Sequence, residues 1–261
     1  MGVALAGFLI CVGVIVFYFN SLQSSKNKYE ELANAKQENL EQAQVIEAEK
    51  KEQNQEEATK EVTEEIEEAY ISPIDFNKLQ TEENSDIYAW IQVDGTTVDY
   101  PVLQHPTDDS FYLLHNIDGS YGYPGCIYTE NYNQKGFIDN VTVVYGHNMK
   151  DGSMFASLHR FMDRDFFDKH DTIVIYLPEE EKTYTILAAC HLDDRRLTVW
   201  YDFTLKDHVQ DFLNTILNME QNETDHLRDM EVSSEDKFIV LETCVGNDKK
   251  HRYAVVAVEN D

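Results

Sequence analysis

The chain has 261 residues, 49 Asp and Glu against 21 Lys and Arg, and a formal net charge of −28. Such an acidic surface repels nucleic-acid phosphates and anionic membranes and attracts cationic partners, so nucleic-acid binding is excluded. The four cysteines (Cys11, Cys126, Cys190, Cys244) show no CxxC spacing and no short disulfide framework, and at least one free thiol is expected.

Residues 1–19 carry no charged side chain. About 20 apolar residues cross a hydrocarbon core of about 30 Å, so residues 1–20 are expected to be an uncleaved transmembrane anchor. The block is too long for the apolar core of a cleaved signal peptide, and no A-x-A site follows it. Lys26, Lys28 and Lys36 follow the span and no Lys or Arg precedes it, so the positive-inside rule alone points the rest of the chain to the cytoplasm.

Residues 21–71 read as an acidic, helical or partly disordered stalk. Between Asn27 and Tyr70 stand fourteen Glu against five Lys, with no Gly or Pro. The large aliphatics there (Leu32, Leu40, Val45, Ile46, Val62, Ile66) form no sustained stripe, so a solvated stalk is expected rather than a coiled coil.

Ser72-Pro73 ends the stalk, and residues 72–261 are long enough for one domain with its own core. Short strands are predicted at 88–93, 97–103, 125–128, 141–145, 172–177, 183–189, 237–244 and 253–258, separated by turn residues such as Asp94-Gly95 and Asp118-Gly119. One clear helix is predicted where Val209, Phe212, Leu213, Ile216 and Leu217 recur, with Thr204 and Asp207 as a capping box. Shorter helical turns are expected at 153–161 and 164–170. Many short strands with few helices point to a barrel or a sandwich.

The last two strands carry the chemistry. Folded as a hairpin about the polar segment 245–251, they set Cys244 at the end of one strand and Arg252 at the start of the next. A third strand, Val141 to Tyr145, ends in Gly146-His147-Asn148. Cys, His and Arg at strand ends suit thiolate acyl transfer as nucleophile, proton carrier and oxyanion stabiliser. Arg252 stays protonated and so cannot be the base. Thr243 and Tyr145 are candidate substrate contacts. Cys126 and Cys190 are expected to be core thiols. No standard zinc spacing links Cys190, His191, Cys244 and His251, and neither a metal nor a cofactor is expected.

In order along the chain stand Ala89-Trp90-Ile91, Thr96-Thr97-Val98-Asp99-Tyr100-Pro101-Val102, Tyr145-Gly146-His147-Asn148-Met149, Gly152-Ser153-Met154-Phe155, and Leu241 to Cys244 with Arg252. In these motifs, and in the long helix before the cysteine strand, the chain resembles the sortases, specifically class B. The resemblance spans essentially all of residues 74–261. It implies a mainly β fold, an eight-stranded mixed β-barrel with peripheral helices. It also implies a membrane-anchored cysteine transpeptidase of Gram-positive type with His147, Cys244 and Arg252 as its triad. Such an enzyme cleaves a C-terminal sorting signal after Thr and passes the acyl group to a cell-wall precursor amine or a pilin amine. The resemblance places the domain on the outer face of the membrane, against the lysine count. Two positions depart from the family pattern. Val245 stands where an acidic residue is common, and Glu242 stands where a small residue is common. Alternation aims Glu242 to the same face as Cys244, where it either disfavours the thiolate or orients a cation.

Two other readings use the same sequence. One is a membrane-tethered cysteine protease in which water takes the acyl group. The other is a non-catalytic binding domain on a stalk.

Overall fold

The computed structural model describes residues 2–57 and 70–260. The N-terminal helix, α1 (Gly2–Glu57), is continuous through the expected anchor and into the expected stalk. It is followed by α2 (Phe76–Glu82), β1 (Ile87–Val93), β2 (Asp99–Leu103), α3 (Phe111–Leu114), β3 (Ile127–Thr129) and β4 (Val141–Tyr145). A 3₁₀ helix (Ala156–Met162) and α4 (Arg164–Lys169) lead to β5 (Thr172–Tyr176) and β6 (Glu181–Asp193). Then come α5 (Leu197–Trp200), α6 (Lys206–Leu217), β7 (His226–Leu227), β8 (Phe238–Val245) and β9 (Asp248–Glu259).

The strands run in the order β5-β1-β2-β3-β4-β8-β9-β6-β7, and a further β5–β6 pairing closes the first eight into a barrel. β2–β3 and β4–β8 are parallel and the other pairs antiparallel, so the barrel is mixed, as the resemblance implied. Closure removes the exposed strand edges that an open sheet of this size would carry. Ile239, Leu241, Tyr253 and Val255 point into the barrel core, whereas Val240, Phe238, Val256 and Ala254 pack outward in a second cluster with Val209, Phe212, Leu213 and Ile216 of α6. The apolar spacing that predicted α6 is therefore the face that covers one side of the sheet.

Three expectations change. The capping box of α6 does not form. Leu205 is the N-cap with no side-chain bond, and the Thr204 hydroxyl bonds Asp202 instead. The cysteine hairpin is tighter than expected, because β9 starts at Asp248 and a β-bulge between Cys244 and Val245 absorbs the extra residues.

The third change concerns the stalk. Ser25, Tyr29, Leu32 and Lys36, spaced along one face of α1, are buried against the barrel. The Tyr29 hydroxyl donates to the Gly125 carbonyl at 3.1 Å, and Lys28 pairs with Glu83 at 2.6 Å. Lys36 is only 3% exposed. Its ammonium pairs with Asp99 at 2.5 Å and donates to Gln92 at 3.0 Å, over the ring of Tyr176. Burial lowers the Lys36 pKa, with Asp99 acting against that shift. This part of the helix is thus a packed element and not a solvated one. Counting only aliphatics hid the stripe, since its members are a serine, a tyrosine, a leucine and a paired lysine. The rest of the stalk, residues 58–69, lies outside the described residues.

Candidate active site

β8 runs between parallel β4 and antiparallel β9, and this arrangement assembles one rim of the barrel. Tyr145 is in register with Glu242, and Cys244 is in register with Arg252. The Gly146 amide donates to the Glu242 carbonyl at 3.2 Å, extending the ladder past the end of β4. Asn148 Nδ2 then donates to the Cys244 carbonyl at 2.9 Å. The loop carrying His147 is therefore tied to the strand carrying Cys244. Gly146 is required by space: a Cβ there would meet Ile127 Cδ1 at 2.5 Å and the Phe155 ring at 2.7 Å.

Cys244 and Arg252 lie opposite each other at this rim, as the hairpin argument required, and the parallel β4–β8 pairing brings His147 to the same rim. The Cys244 thiol is exposed. His147 Nε2 donates to the Leu113 carbonyl at 2.6 Å, and its ring packs against Tyr123 with centroids 5.2 Å apart. A carbonyl only accepts, so Nε2 carries a proton in this arrangement and Nδ1 is the ring nitrogen left outside that bond. Arg252 Nε lies 3.7 Å from Glu242 Oε1, and Nη1 donates to the His251 carbonyl.

Strand alternation separates the two remaining candidates. Glu242, Cys244 and Arg252 face outward, whereas Thr243 faces the barrel interior beside Tyr253. The Thr243 hydroxyl is buried with no hydrogen-bond partner, so the structure does not bring that side chain to the thiol. Tyr145 does sit with the outward groups. It stacks on Tyr128 at 5.5 Å, and burial, with Glu130 and Glu242 nearby, raises its pKa far above the ordinary tyrosine value.

Several neighbours were not found from sequence. Glu130, at the end of β3, pairs with Arg196 and accepts from Thr198 at 3.0 Å. With Glu242 and Arg252 these form a cluster of two carboxylates and two guanidiniums next to Cys244. Glu242 is pushed up to about 7, first by burial, with Arg252 opposing. Arg196 lies far from Glu130 in sequence, and no local pattern links them. Asn148 was in view as the residue after His147, but its bond to Cys244 depends on strand register. His159, expected to be a surface or satisfied histidine, is half-buried and stacks on Tyr253 at 4.9 Å, with Nε2 unpartnered. Cys126 and Cys190 are buried, and burial pushes each up to about 12, which suits inert core thiols.

A sortase-domain family profile matches residues 91–260. Sortase B of Listeria monocytogenes is 31% identical over 161 residues, 62% of this chain and 63% of that protein. Sortase B of Staphylococcus aureus is 26% identical over 166 residues, 62% of this chain and 64% of that protein. The chain thus matches a little under two thirds of the length of these relatives. The X-ray structure of Clostridium perfringens sortase B superposes with a TM-score of 0.61 at 30% identity, covering 71% of this chain and 99% of that one. A Bacillus anthracis sortase B structure shares the fold at 22% identity with a TM-score of 0.68, covering 93% of this chain and all of that one. The profile covers more than half of the chain and includes the strand that carries Arg252, so this chain belongs to the sortase family and its relatives there are sortases B.

Proposed function

We propose that this protein is a class B, sortase-type cysteine transpeptidase that cleaves a C-terminal sorting signal after Thr. Cys244 passes its thiol proton to His147, and Sγ attacks the Thr carbonyl carbon as thiolate, forming the C–S bond of a tetrahedral intermediate. Arg252 donates hydrogen bonds to the oxyanion. Collapse breaks the peptide C–N bond, and His147 delivers the proton to the departing amine. An incoming amine from a peptidoglycan precursor or a pilin attacks the thioacyl carbon, loses its proton to His147 and releases the thiol. The observation that carries this reading is the direct cross-strand register of Cys244 and Arg252, with Asn148 anchoring the His147 loop to the same strand end. Tyr145 is assigned to the substrate groove. Thr243 contributes through its backbone, not its hydroxyl.

Residues 1–20 are assigned as a single-pass anchor with the barrel on the extracellular face. Among the described residues one helix, near the N-terminus, is long and apolar enough to cross a membrane. Two of the lysines that oppose this orientation, Lys28 and Lys36, are paired with Glu83 at the end of α2 and Asp99 of β2. Their charge belongs to the folded domain, and large following domains translocate largely regardless of charge.

The test is mass spectrometry of products from LPxTG- and NPxTN-like peptide libraries, with and without added amine. Amine-dependent ligation and a Cys244 thioacyl adduct are expected. Amine-independent hydrolysis alone would establish the protease reading. Absence of any adduct on Cys244 would leave only the binding-domain reading.

A further inference from the structure

We infer that the rim carrying His147 lies at the bilayer surface, with the Tyr121–Tyr123 loop resting in the lipid headgroup layer. The inference rests on the anchor reading above and extends it to the orientation of the active site.

Helix α1 serves as a ruler, because it runs unbroken from the apolar segment along the barrel. From Gly2 to Phe19 its rise is about 27 Å, close to the hydrocarbon thickness of about 30 Å. Every residue from Phe8 to Phe19 is exposed, and partial burial begins at Ser21 and Leu22, so the barrel begins where the apolar segment ends. Tyr18 and Phe19 fall at that end, where aromatic side chains favour the membrane–water interface. The Tyr18 ring packs edge-on against Tyr123, with centroids 6.3 Å apart, and Tyr123 packs against His147 at 5.2 Å. The chain of contacts from anchor to catalytic imidazole is therefore two rings long.

The loop that makes these contacts is built to hold its position. The Gly122 amide donates to the Leu114 carbonyl, Asn116 binds the Gly125 amide, and Tyr29 of α1 binds the Gly125 carbonyl. On this fixed frame Tyr121 is 71% exposed and Tyr123 41% exposed. Leu113, whose carbonyl holds His147, is also exposed. Large uncovered aromatics continuous with an apolar helix end match the composition of an interfacial belt. The opposite end of the barrel is marked by the β5–β6 turn, because strand directions put the start of β5 and the end of β6 on the side where β4 and β8 finish. A rim at headgroup depth takes polypeptides and amines that are themselves held at the same membrane surface.

The test uses the full chain in phosphatidylcholine vesicles with Trp200→Phe, since Trp200 is exposed and Trp90 is buried. Tryptophan is placed in the loop by Tyr121→Trp or, in a second chain, on the β5–β6 turn by Glu179→Trp. Vesicles brominated near the headgroup end of the acyl chains are expected to quench the Tyr121→Trp chain severalfold more than the Glu179→Trp chain. Bromines at the chain centre are expected to quench both weakly. Equal quenching in the two chains, while both float with the vesicles, overturns the orientation but keeps the anchor. A blue-shifted Tyr121→Trp emission without bromine quenching means that protein covers the loop, and also overturns it. Failure to float removes the anchor reading and this inference with it.

Discussion

Burial raises the Glu242 carboxyl to about 7 even though Arg252 lies 3.7 Å away, and Glu130 adds to the rise while Arg196 opposes it. Unfolded, the same carboxyl titrates near its ordinary value of about 4.3. Between those two values the folded chain holds a proton that the unfolded chain has released. Glu242 therefore lowers stability progressively as pH rises from about 4.3 to about 7. Glu242→Gln cannot titrate, so its stability relative to the native chain should rise across that window in urea unfolding at a series of pH values. Parallel pH curves would mean that Glu242 is ionised in the fold throughout. Cys244→Ala should abolish turnover without lowering the melting temperature, because the thiol is exposed and contributes little packing. Arg252→Lys should cost about 10²–10³ in kcat, since an ammonium cannot present the planar fork to the oxyanion. Near-native kcat in that variant would move the oxyanion role to backbone amides.

At the scale of elements, the end of β4 and the docked part of α1 carry the most structural consequence. Gly146 leaves no room for a methyl group against Ile127 and Phe155. Gly146→Ala should cost about 1–3 kcal/mol through overpacking and should also slow turnover, because His147 is the next residue. Thermal unfolding with steady-state kinetics checks both halves. For α1, the sequence alone suggested a solvated stalk with no packed face. The burial of Tyr29, Leu32 and Lys36 reverses that expectation. Leu32 alone accounts for roughly 1.5–3 kcal/mol of burial. A chain beginning at Ser72 should therefore melt several degrees below one beginning at Ser21. Equal melting temperatures would show that the helix docks without stabilising the barrel.

Across the whole molecule, one helix joins the expected membrane span to the wall of the barrel, so the proposed anchor and the proposed active site share one axis. Inserting about seven helical residues between Asn20 and Ser21 should lift the barrel by ~10 Å while preserving the docked face nearly in phase. Cleavage of a soluble peptide should be unchanged by that insertion. Cleavage of a substrate held in the same vesicles should fall, and an unchanged rate on both substrates would argue against a membrane-set position of the rim.

The sequence by itself determined most of what is periodic or local. Short apolar runs between turn residues located all eight barrel strands, although β6 and β9 extend four or five residues beyond the expected bounds, and the 3.6-residue spacing of Val209, Phe212, Leu213 and Ile216 located α6. The turn residues after Cys244 placed Cys244 opposite Arg252, because a hairpin converts distance along the chain into a register. What tertiary structure alone decided involves partners distant in sequence. The parallel β4–β8 pairing brings Asn148 to Cys244, and the ends of β3 and β6 bring Glu130 to Arg196. Thr243 was misread because adjacent strand residues face opposite sides, so proximity in sequence to Cys244 took its side chain away from the thiol. The docking of α1 was equally hidden, since a polar-looking helix buries a face only when a barrel supplies Asp99, Gln92 and Tyr176 to receive its lysine.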